Sequence, residues 1–344
     1  MLGLSLAGCN DDPVRPGPVH YNVYIAALDW VDGVATDPLY IIDADSMVVI
    51  DSIPQIGSLY DMEVSPDGRF LYNGVHRGVG SGIDFDSVRC IDIKRKKIVW
   101  SVPSSTFLGL TLLDEGRIIL RRWRARGGPA SITDLLDANN GEVIKTLPGS
   151  IRYDEGPVSG TKVSGLIGEY PDIRVVGVDV LSGEVWGEFR PRYPGGQPLP
   201  TAFTRLHPDG GRVLVMGGVN VGVSYAIVGS LNTGEDIVRG RIYSPAGEGA
   251  FSSDGRLAVT SDLNGSLAVF DLDSSIHLGT ISAPASQVSF VGAEPSVVTA
   301  MYPDYMRGTH PLARVDIVTL EITQFVYLPL PEPLLGAMAV GPRP

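Results

Sequence analysis

Five histidines are the side chains best suited to hold a metal ion or move a proton near neutral pH. They are His20, His76, His207, His277 and His310. No two of them, and no histidine and cysteine, have the short spacing of metal ligands contributed by one stretch of chain. We therefore predict no metal site. We expect His207 to serve a turn and His277 to lie in an outer strand, while His76 and His310 could meet in space.

Six aspartates recur at equivalent positions, each after an apolar run and directly before a turn. They are Asp43, Asp92, Asp137, Asp179, Asp271 and Asp316. Carboxylates can act as acids and bases or bind calcium, but Asp271-Leu272-Asp273 lacks the glycine and distal glutamate of a calcium loop. Because a residue repeated in every unit serves the unit, we interpret these aspartates as acceptors for backbone N–H groups of the adjacent turn.

The sequence contains little that indicates nucleophilic catalysis. Cys90 lies within an apolar run, and we interpret it as a buried free thiol. The nucleophile-elbow sequence Gly-Xaa-Ser-Xaa-Gly does not occur, and neither does a phosphate-binding glycine-rich loop ending in Lys-Ser or Lys-Thr. Because these motifs are absent, the sequence identifies no catalytic residue, and we predict no cofactor.

The aspartates belong to a strand–turn–strand unit that recurs roughly every 41 to 51 residues, in about seven copies. The clearest copy is Val178-Asp179-Val180-Leu181-Ser182-Gly183-Glu184-Val185-Trp186. A second strand–turn–strand pattern, Ser65-Pro66-Asp67-Gly68-Arg69-Phe70-Leu71-Tyr72, alternates with it. Its proline fits the second position of a turn, and its glycine supplies the left-handed residue that closes a hairpin. Each unit therefore contains four strands, here named A to D in chain order.

Related turns of the second pattern occur along the whole chain. They are Asp114-Glu115-Gly116, Pro208-Asp209-Gly210 and Ser253-Asp254-Gly255, with degraded copies at Gly160-Thr161-Lys162 and Gly292-Ala293-Glu294-Pro295. One four-stranded sheet cannot bury both of its faces, whereas sheets packed radially around an axis bury each other. The sequence therefore predicts an all-β, seven-bladed β-propeller of four-stranded antiparallel blades.

The two ends of the chain predict how the ring closes. Residues 21–26 form a B-type strand with no A strand before it, and residues 335–342 form an A-type strand with no B strand after it. We expect the C-terminal strand to complete the N-terminal blade, which removes an exposed sheet edge.

The turn pattern around Ser65-Pro66-Asp67-Gly68, followed by the strand–Asp–turn–strand unit, resembles the YVTN-type repeats of seven-bladed propellers from about residue 20 to the end. Ser182-Gly183-Glu184-Val185-Trp186 is also similar to the repeat of quinone-cofactor propellers, with Trp100 and Trp186 at its tryptophan position. The resemblance implies a propeller fold. It leaves open whether the protein is a binding scaffold, a lactonase or a dehydrogenase.

Composition narrows the class of protein. The 344 residues fit one ring, and the 42 glycines and 26 prolines suit a chain rich in turns. The net charge of −12 argues against non-specific binding to nucleic acid, which depends on lysine and arginine. We expect a monomer that binds no nucleic acid.

The first residues resemble the end of a bacterial lipoprotein signal peptide. Leu6-Ala7-Gly8-Cys9 matches the lipobox, so Cys9 is the predicted lipidation site and residues 1–9 a truncated signal segment. Residues 10–20 are rich in proline and charge, which predicts a flexible tether before a propeller over residues 21–344. The expected location is outside the cytoplasm, anchored by lipid to the bacterial cell envelope.

Connection lengths predict a binding face. In a four-stranded meander the B-to-C and D-to-A connections leave the same face, and the long connections are residues 29–36, 76–86, 123–128, 302–310 and 191–200. Aromatic and arginine side chains on loops commonly anchor interfaces. The predicted contact residues are Trp30, Arg77, Trp123, Arg124, Arg126, Tyr305 and Arg307.

Three functions follow from these observations. The first is a lipid-anchored scaffold that binds an envelope protein or glycan on its long-loop face. The second is a hydrolase resembling propeller lactonases, with Asp154, Glu155 and Glu248 on D-to-A connections acting beside His76 or His310. The third is a quinone-dependent redox propeller.

Overall fold

The computed structural model confirms the all-β ring. It describes residues 19–27, 38–54, 58–76, 86–104, 107–113, 116–123, 131–149, 151–153, 160–219, 223–242, 246–262, 265–283, 287–292, 294–300, 310–328 and 335–344. These residues form seven four-stranded antiparallel sheets, one for each predicted blade. Within each blade the A strand lies innermost and the D strand outermost.

Blades 1 to 4 occupy the first half of the chain together with its last strand. Blade 1 contains β28 (Leu335–Pro342), β1 (Tyr21–Ala27), β2 (Leu39–Asp43) and β3 (Val48–Ile53). Blade 2 contains β4 (Ser58–Val64), β5 (Phe70–His76), β6 (Asp86–Asp92) and β7 (Lys97–Ser104). Blade 3 contains β8 (Phe107–Leu113), β9 (Arg117–Trp123), β10 (Ser131–Asp137) and β11 (Val143–Leu147). Blade 4 contains β12 (Arg152–Tyr153), β13 (Lys162–Ile167), β14 (Arg174–Asp179) and β15 (Val185–Phe189).

The other three blades follow in order. Blade 5 contains β16 (Thr201–Leu206), β17 (Arg212–Val219), β18 (Val223–Ser230) and β19 (Asp236–Ile242). Blade 6 contains β20 (Ala246–Phe251), β21 (Leu257–Asp262), β22 (Ser266–Asp271) and β23 (Ile276–Ser282). Blade 7 contains β24 (Gln287–Phe290), β25 (Ser296–Ala300), β26 (His310–Asp316) and β27 (Glu321–Leu328).

The C-terminal strand closes the ring, as predicted. β28 pairs antiparallel with β1, and Val23 lies opposite Val340. Among the described residues the buried hydrophobic side chains form seven clusters, and each cluster joins two neighbouring blades, including blade 7 with blade 1. Burial of apolar surface is the main force holding such sheets together, so stability depends on every blade having two neighbours.

The A-to-B turns have the predicted geometry. In blade 2, Gly68 has a φ of +72° and its N–H donates to the Ser65 carbonyl at 2.8 Å. The Ser65 hydroxyl donates to Asp67 Oδ1 at 2.6 Å and accepts the N–H of Phe70 at 2.8 Å. Side chain and backbone thus satisfy each other's polar groups within the turn.

His207 replaces the serine in the corresponding turn of blade 5 and is 2 % exposed. Its Nε2 lies 2.6 Å from the Gly255 carbonyl oxygen, and its Nδ1 accepts the N–H of Asp209 at 3.0 Å. The imidazole therefore ties the A-to-B turns of blades 5 and 6 together. His277 lies in the outermost strand of blade 6 and stacks on Phe270. Both sequence-based interpretations of these histidines are confirmed.

The repeated aspartates serve the C-to-D turns. Asp179 Oδ1 accepts the N–H groups of Leu181 and Ser182 at 3.0 and 2.9 Å, and Asp179 Oδ2 accepts the Thr161 hydroxyl at 2.6 Å. Equivalent bonds to turn N–H groups are made by Asp43, Asp92, Asp137, Asp271 and Asp316. Their structural interpretation is confirmed.

Replacing Asp179 by alanine is expected to lower the free energy of unfolding by about 1.5 kcal/mol at pH 7, because it removes hydrogen bonds to a charged acceptor. The Thr161 hydroxyl and the Ser182 N–H hold the pKa of Asp179 below its usual value, against a smaller opposing effect of burial. A lowered folded-state pKa stabilises the protein above the unfolded value of about 3.9, and this contribution is lost as pH falls through the folded value. The difference between wild type and variant should therefore shrink below about pH 4.

Urea unfolding between pH 3 and pH 8 measures this effect. Asp273→Ala is the matched control, because that carboxylate is 72 % exposed and its ion pair with Arg256 spans 3.9 Å. The control should stay within about 0.5 kcal/mol of wild type. A cost for Asp179→Ala that is the same at pH 3 and pH 7 would contradict the turn function of the ionised carboxylate.

Cys90 is a buried free thiol, as predicted. It lies in β6, and burial raises its pKa to about 12, with the Tyr72 hydroxyl acting in the opposite direction. A thiol with so high a pKa carries almost no thiolate at neutral pH and is a poor nucleophile. The residue belongs to the hydrophobic cluster between blades 2 and 3.

Candidate functional site

The four B-to-C connections that the sequence indicated as long are long between the observed strands. B-to-C connections of blades 1, 2, 3 and 7 are long and span residues 28–38, 77–85, 124–130 and 301–309. In blades 5 and 6 only three residues join the B and C strands, at 220–222 and 263–265. The long connections of the loop face therefore come from blades 1, 2, 3 and 7 and from the D-to-A connection before blade 5. Their β17–β18 and β21–β22 pairs continue almost to the connection.

The predicted contact residues lie almost entirely outside the described part of the chain. This holds for Trp30, Arg77, Arg124, Arg126, Tyr305 and Arg307, and for the lipidation site Cys9. Trp123 is the last residue of β9, where it pairs with Ser131, and only its backbone is described. These assignments remain predictions.

All three acidic residues assigned to the hydrolase alternative need correction. Glu248 does not lie on a D-to-A connection but within β20, where its N–H donates to the Ser261 hydroxyl at 2.8 Å. Asp154 and Glu155 follow β12, so they belong to the A-to-B connection of blade 4, outside the described residues. The prediction failed because β12 has only two residues, which moved the expected strand boundary. His76 ends β5 and His310 begins β26, and their side chains are not described.

The longest D-to-A connection, residues 190–200, lies within the described part of the chain and forms a small hairpin. Its tip is Tyr193-Pro194-Gly195-Gly196, in which the N–H of Gly196 donates to the Tyr193 carbonyl at 2.9 Å. Proline at the second position and a glycine with a φ of +102° at the third are typical of a type II turn. The N–H of Tyr193 donates to the Gln197 carbonyl at 2.7 Å, which holds the two arms together.

The base of this hairpin is fixed to blade 5. Leu199 is 1 % exposed, and the Tyr193 ring meets the Tyr225 ring edge-on with 5.6 Å between centroids. At Gly217, a Cβ would lie 2.0 Å from the Pro200 carbonyl oxygen, so the chain passes β17 at a distance that only glycine permits. The hairpin is therefore a rigid element that carries exposed side chains on the loop face.

A groove runs beside the hairpin at the outer rim, between blade 4 and blade 5. Its volume is about 600 Å³. It is lined by Glu188, Arg190, Arg192, Tyr193, Pro194, Gly195, Gly196, Gly234, Asp236 and Arg239. The two walls meet where the N–H of Glu188 donates to the Leu231 carbonyl at 3.1 Å. The groove is thus built by residues that are far apart in sequence.

The charges of the groove are unevenly compensated. Glu188 is held between Arg190, whose Nε lies 2.8 Å from its Oε1, and Arg174, whose Nη1 lies 3.1 Å from its Oε2. The hydrogen bond from Arg190, followed by that from Arg174, lowers the pKa of Glu188, so it is ionised at neutral pH. Asp236 pairs with Arg239. Arg192 donates to the Gly196 carbonyl at 2.8 Å and, in the described residues, pairs with no carboxylate.

A second cavity of about 290 Å³ lies on the axis, among the innermost strands. Asp61 accepts the N–H of Leu110 at 2.8 Å, which joins the inner strands of blades 2 and 3. Arg205 Nε donates to the Gly249 carbonyl at 3.1 Å, which joins those of blades 5 and 6, and its guanidinium lies over the Phe203 ring. These two polar side chains hold neighbouring blades together. Part of the polar lining of the axial cavity therefore serves to join the blades.

The described ranges contain neither a candidate metal cluster nor a membrane-spanning helix. No group of three or more His, Cys, Asp and Glu side chains in these ranges could hold a metal ion. No helix among the same residues is long and apolar enough to cross a membrane.

No family model matches this chain, and no curated protein matches it significantly. The fold and the local chemistry of the groove therefore carry the functional argument.

Sequence reasoning found only part of this groove. The length of the 191–200 connection, with Arg192 and Tyr193, was recognisable from the sequence. Glu188, Asp236 and Arg239 were not identified, because they lie on outer strands of two different blades. One signal was available. Arg239 and Arg241 alternate with the buried Val238, Gly240 and Ile242, which places both arginines on the outward side of β19.

Proposed function

We propose that this protein is a binding scaffold of the bacterial cell envelope, anchored by lipid at Cys9, that holds an envelope protein or glycan on its loop face. The loop face is the side from which the B-to-C and D-to-A connections leave. The observation that carries this proposal is the rigid 190–200 hairpin, which projects exposed arginine from that face beside an open groove. Exposed charged and aromatic residues on a rigid support are typical of binding sites.

The opposite face supports the same assignment by contrast. Its A-to-B and C-to-D turns use Asp and Ser side chains for bonds within the turn, as in Asp67, Asp254 and Asp316. Hydrogen bonds within the turns hold the pKa of all three carboxyl groups below the usual value. Carboxylates that already accept hydrogen bonds within their own turn have little capacity left to accept bonds from a partner, which leaves the loop face as the better binding surface.

The lipid anchor and the membership of the YVTN-type repeat group rest on sequence. The Leu6-Ala7-Gly8-Cys9 motif and the proline-rich residues 10–20 form a consistent series of anchor and tether before β1 begins at Tyr21. The Ser65-Pro66-Asp67-Gly68 turn and its relatives carry the repeat resemblance.

Replacing Cys9 by serine in a chain expressed behind a complete signal peptide is expected to abolish labelling by radioactive palmitate and to shift the protein from the membrane fraction to the soluble fraction. The reason is that the diacylglycerol attaches through the cysteine sulfur, which serine lacks. Cys90→Ser is the matched control, and it should keep full labelling. Equal labelling of the Cys9→Ser variant and wild type would contradict the anchor.

Replacing Trp123 and Arg126 together by alanine is expected to reduce partner capture at least fivefold, because a buried anchor residue of an interface typically contributes more than about 1 kcal/mol. Chemical cross-linking in the native envelope, followed by affinity purification and quantitative mass spectrometry, measures capture. Arg69→Ala with Arg95→Ala is the matched control, since both arginines lie on the turn face and are 55 % and 72 % exposed.

The melting temperature distinguishes a contact role from a structural one. Both double variants should melt within about 2 °C of wild type, because a side chain whose role is to contact a partner adds little to the stability of the free protein. The proposal fails if the Trp123 and Arg126 variant captures the same proteins and glycans in the same amounts as wild type.

A further inference from the structure

We propose that the groove between blades 4 and 5 binds an acidic saccharide, whose carboxylates pair with Arg192 and Arg239. The inference rests on the proposed binding function and names the chemical class of the partner for the groove, which lies between the loop-face hairpin and the C-to-D turn of blade 5. None of the described residues that line the groove is a predicted contact residue, so the two proposals can be tested with different variants.

The groove has an excess of positive charge. The lining of the groove brings together three guanidinium groups, those of Arg190, Arg192 and Arg239, against the two carboxylates of Glu188 and Asp236, and Arg174 pairs with Glu188 from beside the groove. This positive excess stands out in a chain whose net charge is −12. A local excess of positive charge attracts an anion over a long range. The guanidinium group of an arginine can also donate two parallel hydrogen bonds to one carboxylate.

The arginines on the two walls of the groove differ in how they are held. Arg192 donates from Nη1 to the Gly196 carbonyl, a neutral acceptor, so its positive charge is not neutralised there. Arg239 is 25 % exposed, and its partner Asp236 lies on the same outer strand. An incoming carboxylate therefore meets one uncompensated guanidinium on the hairpin and a second, partly fixed one on the opposite wall.

The shape of the hairpin tip also favours ligand binding. Gly195 and Gly196 have φ values of +102° and +88°, and no atom lies within 4 Å of a Cβ built on either of them. The hairpin tip therefore exposes its backbone to a ligand without a side chain in between. Because the N–H and the carbonyl of Gly196 are already bonded to Tyr193 and Arg192, the arginines supply the hydrogen bonds to carboxylate groups along the groove.

The same lining favours a saccharide over an acidic peptide. Peptides gain most of their affinity from apolar anchors that enter pockets. Apart from Tyr193 and Pro194, every residue of the groove is glycine or charged, and the Tyr193 ring is engaged with Tyr225. A hydrophilic ligand with regularly spaced carboxylates fits this lining better.

Calorimetric titration of the purified propeller with tetragalacturonate tests the proposal. We expect saturable binding that weakens between 20 and 300 mM NaCl, because added salt screens exposed charges, as expected from a Debye length of about 10 Å at 0.1 M. Arg192→Gln and Arg239→Gln should each weaken binding about tenfold, the loss expected for one charge-assisted hydrogen bond. Arg95→Gln, on the turn face, should leave binding unchanged. Maltotetraose, which has no carboxylate, should not bind.

Three results would overturn the proposal. One is the absence of binding to tetragalacturonate at low salt, and another is equal binding by wild type and both groove variants. The third is tighter binding of hexaglutamate, because it would assign the groove to acidic peptides. A failure here that leaves capture from the envelope dependent on Trp123 and Arg126 removes only the groove proposal. A loss of that dependence removes the scaffold proposal.

Discussion

A chain that ends at Leu334 is expected not to fold cooperatively. The truncation removes β28, the innermost strand of blade 1, and leaves β1 without its partner from Tyr21 to Ala27. It also damages two hydrophobic clusters at once, because Ala339 packs between blades 1 and 2, while Met338 and Val340 pack between blades 7 and 1.

The expected loss is comparable to the total stability of the protein. Losing most of a strand's ladder and its buried side chains costs more than about 5 kcal/mol, whereas native domains are stable by about 5 to 15 kcal/mol. Circular dichroism and urea unfolding measure the effect. A chain that ends at Pro342 is the control, because it loses only Arg343 and Pro344 beyond the strand. Arg343 contacts Asp43 and Asn22 and donates its N–H to the His20 carbonyl at 2.8 Å, and at about 1 kcal/mol for each such bond this loss stays below that of the strand.

Supplying the peptide of residues 335–344 in trans should restore part of the signal, because the missing strand would add to the edge of β1. A truncated chain that unfolds cooperatively within a few degrees of wild type would show that β28 does not close the ring.

Gly68→Ala is expected to cost about 3 kcal/mol or more, against about 1 kcal/mol for Gly116→Ala. The two glycines occupy the A-to-B turns of neighbouring blades, with φ values of +72° and +71°, so alanine suffers the same backbone strain at both. The surroundings differ. A Cβ on Gly68 would lie 2.1 Å from the Pro342 carbonyl oxygen, while nothing lies within 4 Å of one on Gly116.

The difference between the two variants isolates the contact at the closure. Because the obstacle at Gly68 is backbone of β28, relief requires the closing strand to move. Urea unfolding of both proteins gives the two costs directly, and unchanged m-values would confirm that the unfolding transition is the same. Equal costs for the two substitutions would mean that β28 does not pass the blade 2 turn as described.

The fold was predictable because every blade repeats the same pattern of strands and turns. Each A-to-B turn that the sequence identified has a glycine with positive φ, as at Gly160 and Gly292 even in the degraded copies. The unpaired strand patterns at the two ends determined the closing partner, since an A strand without a B strand and a B strand without an A strand complete one sheet. The predicted closure therefore required no knowledge of distant contacts.

The candidate site was less predictable because its geometry depends on how blades pack. Sequence spacing placed Glu248 on a connection, whereas the structure places it in the inner strand β20. The groove depends on the approach of Glu188 to the Leu231 turn, a contact between two blades that neither segment announces by itself. Arg192 could be recognised on its long connection, but Arg239, on the opposite wall of the groove, could not.

The most direct test of the scaffold proposal is photo-cross-linking from defined positions in the native envelope. A benzophenone amino acid replaces Arg192 on the loop face in one strain and Ser274 on the turn face in another. Both residues are exposed, and they lie on opposite sides of the ring. The scaffold proposal predicts a discrete cross-linked partner from position 192 and none from position 274. The same adducts from both positions, or adducts from position 274 alone, would contradict it.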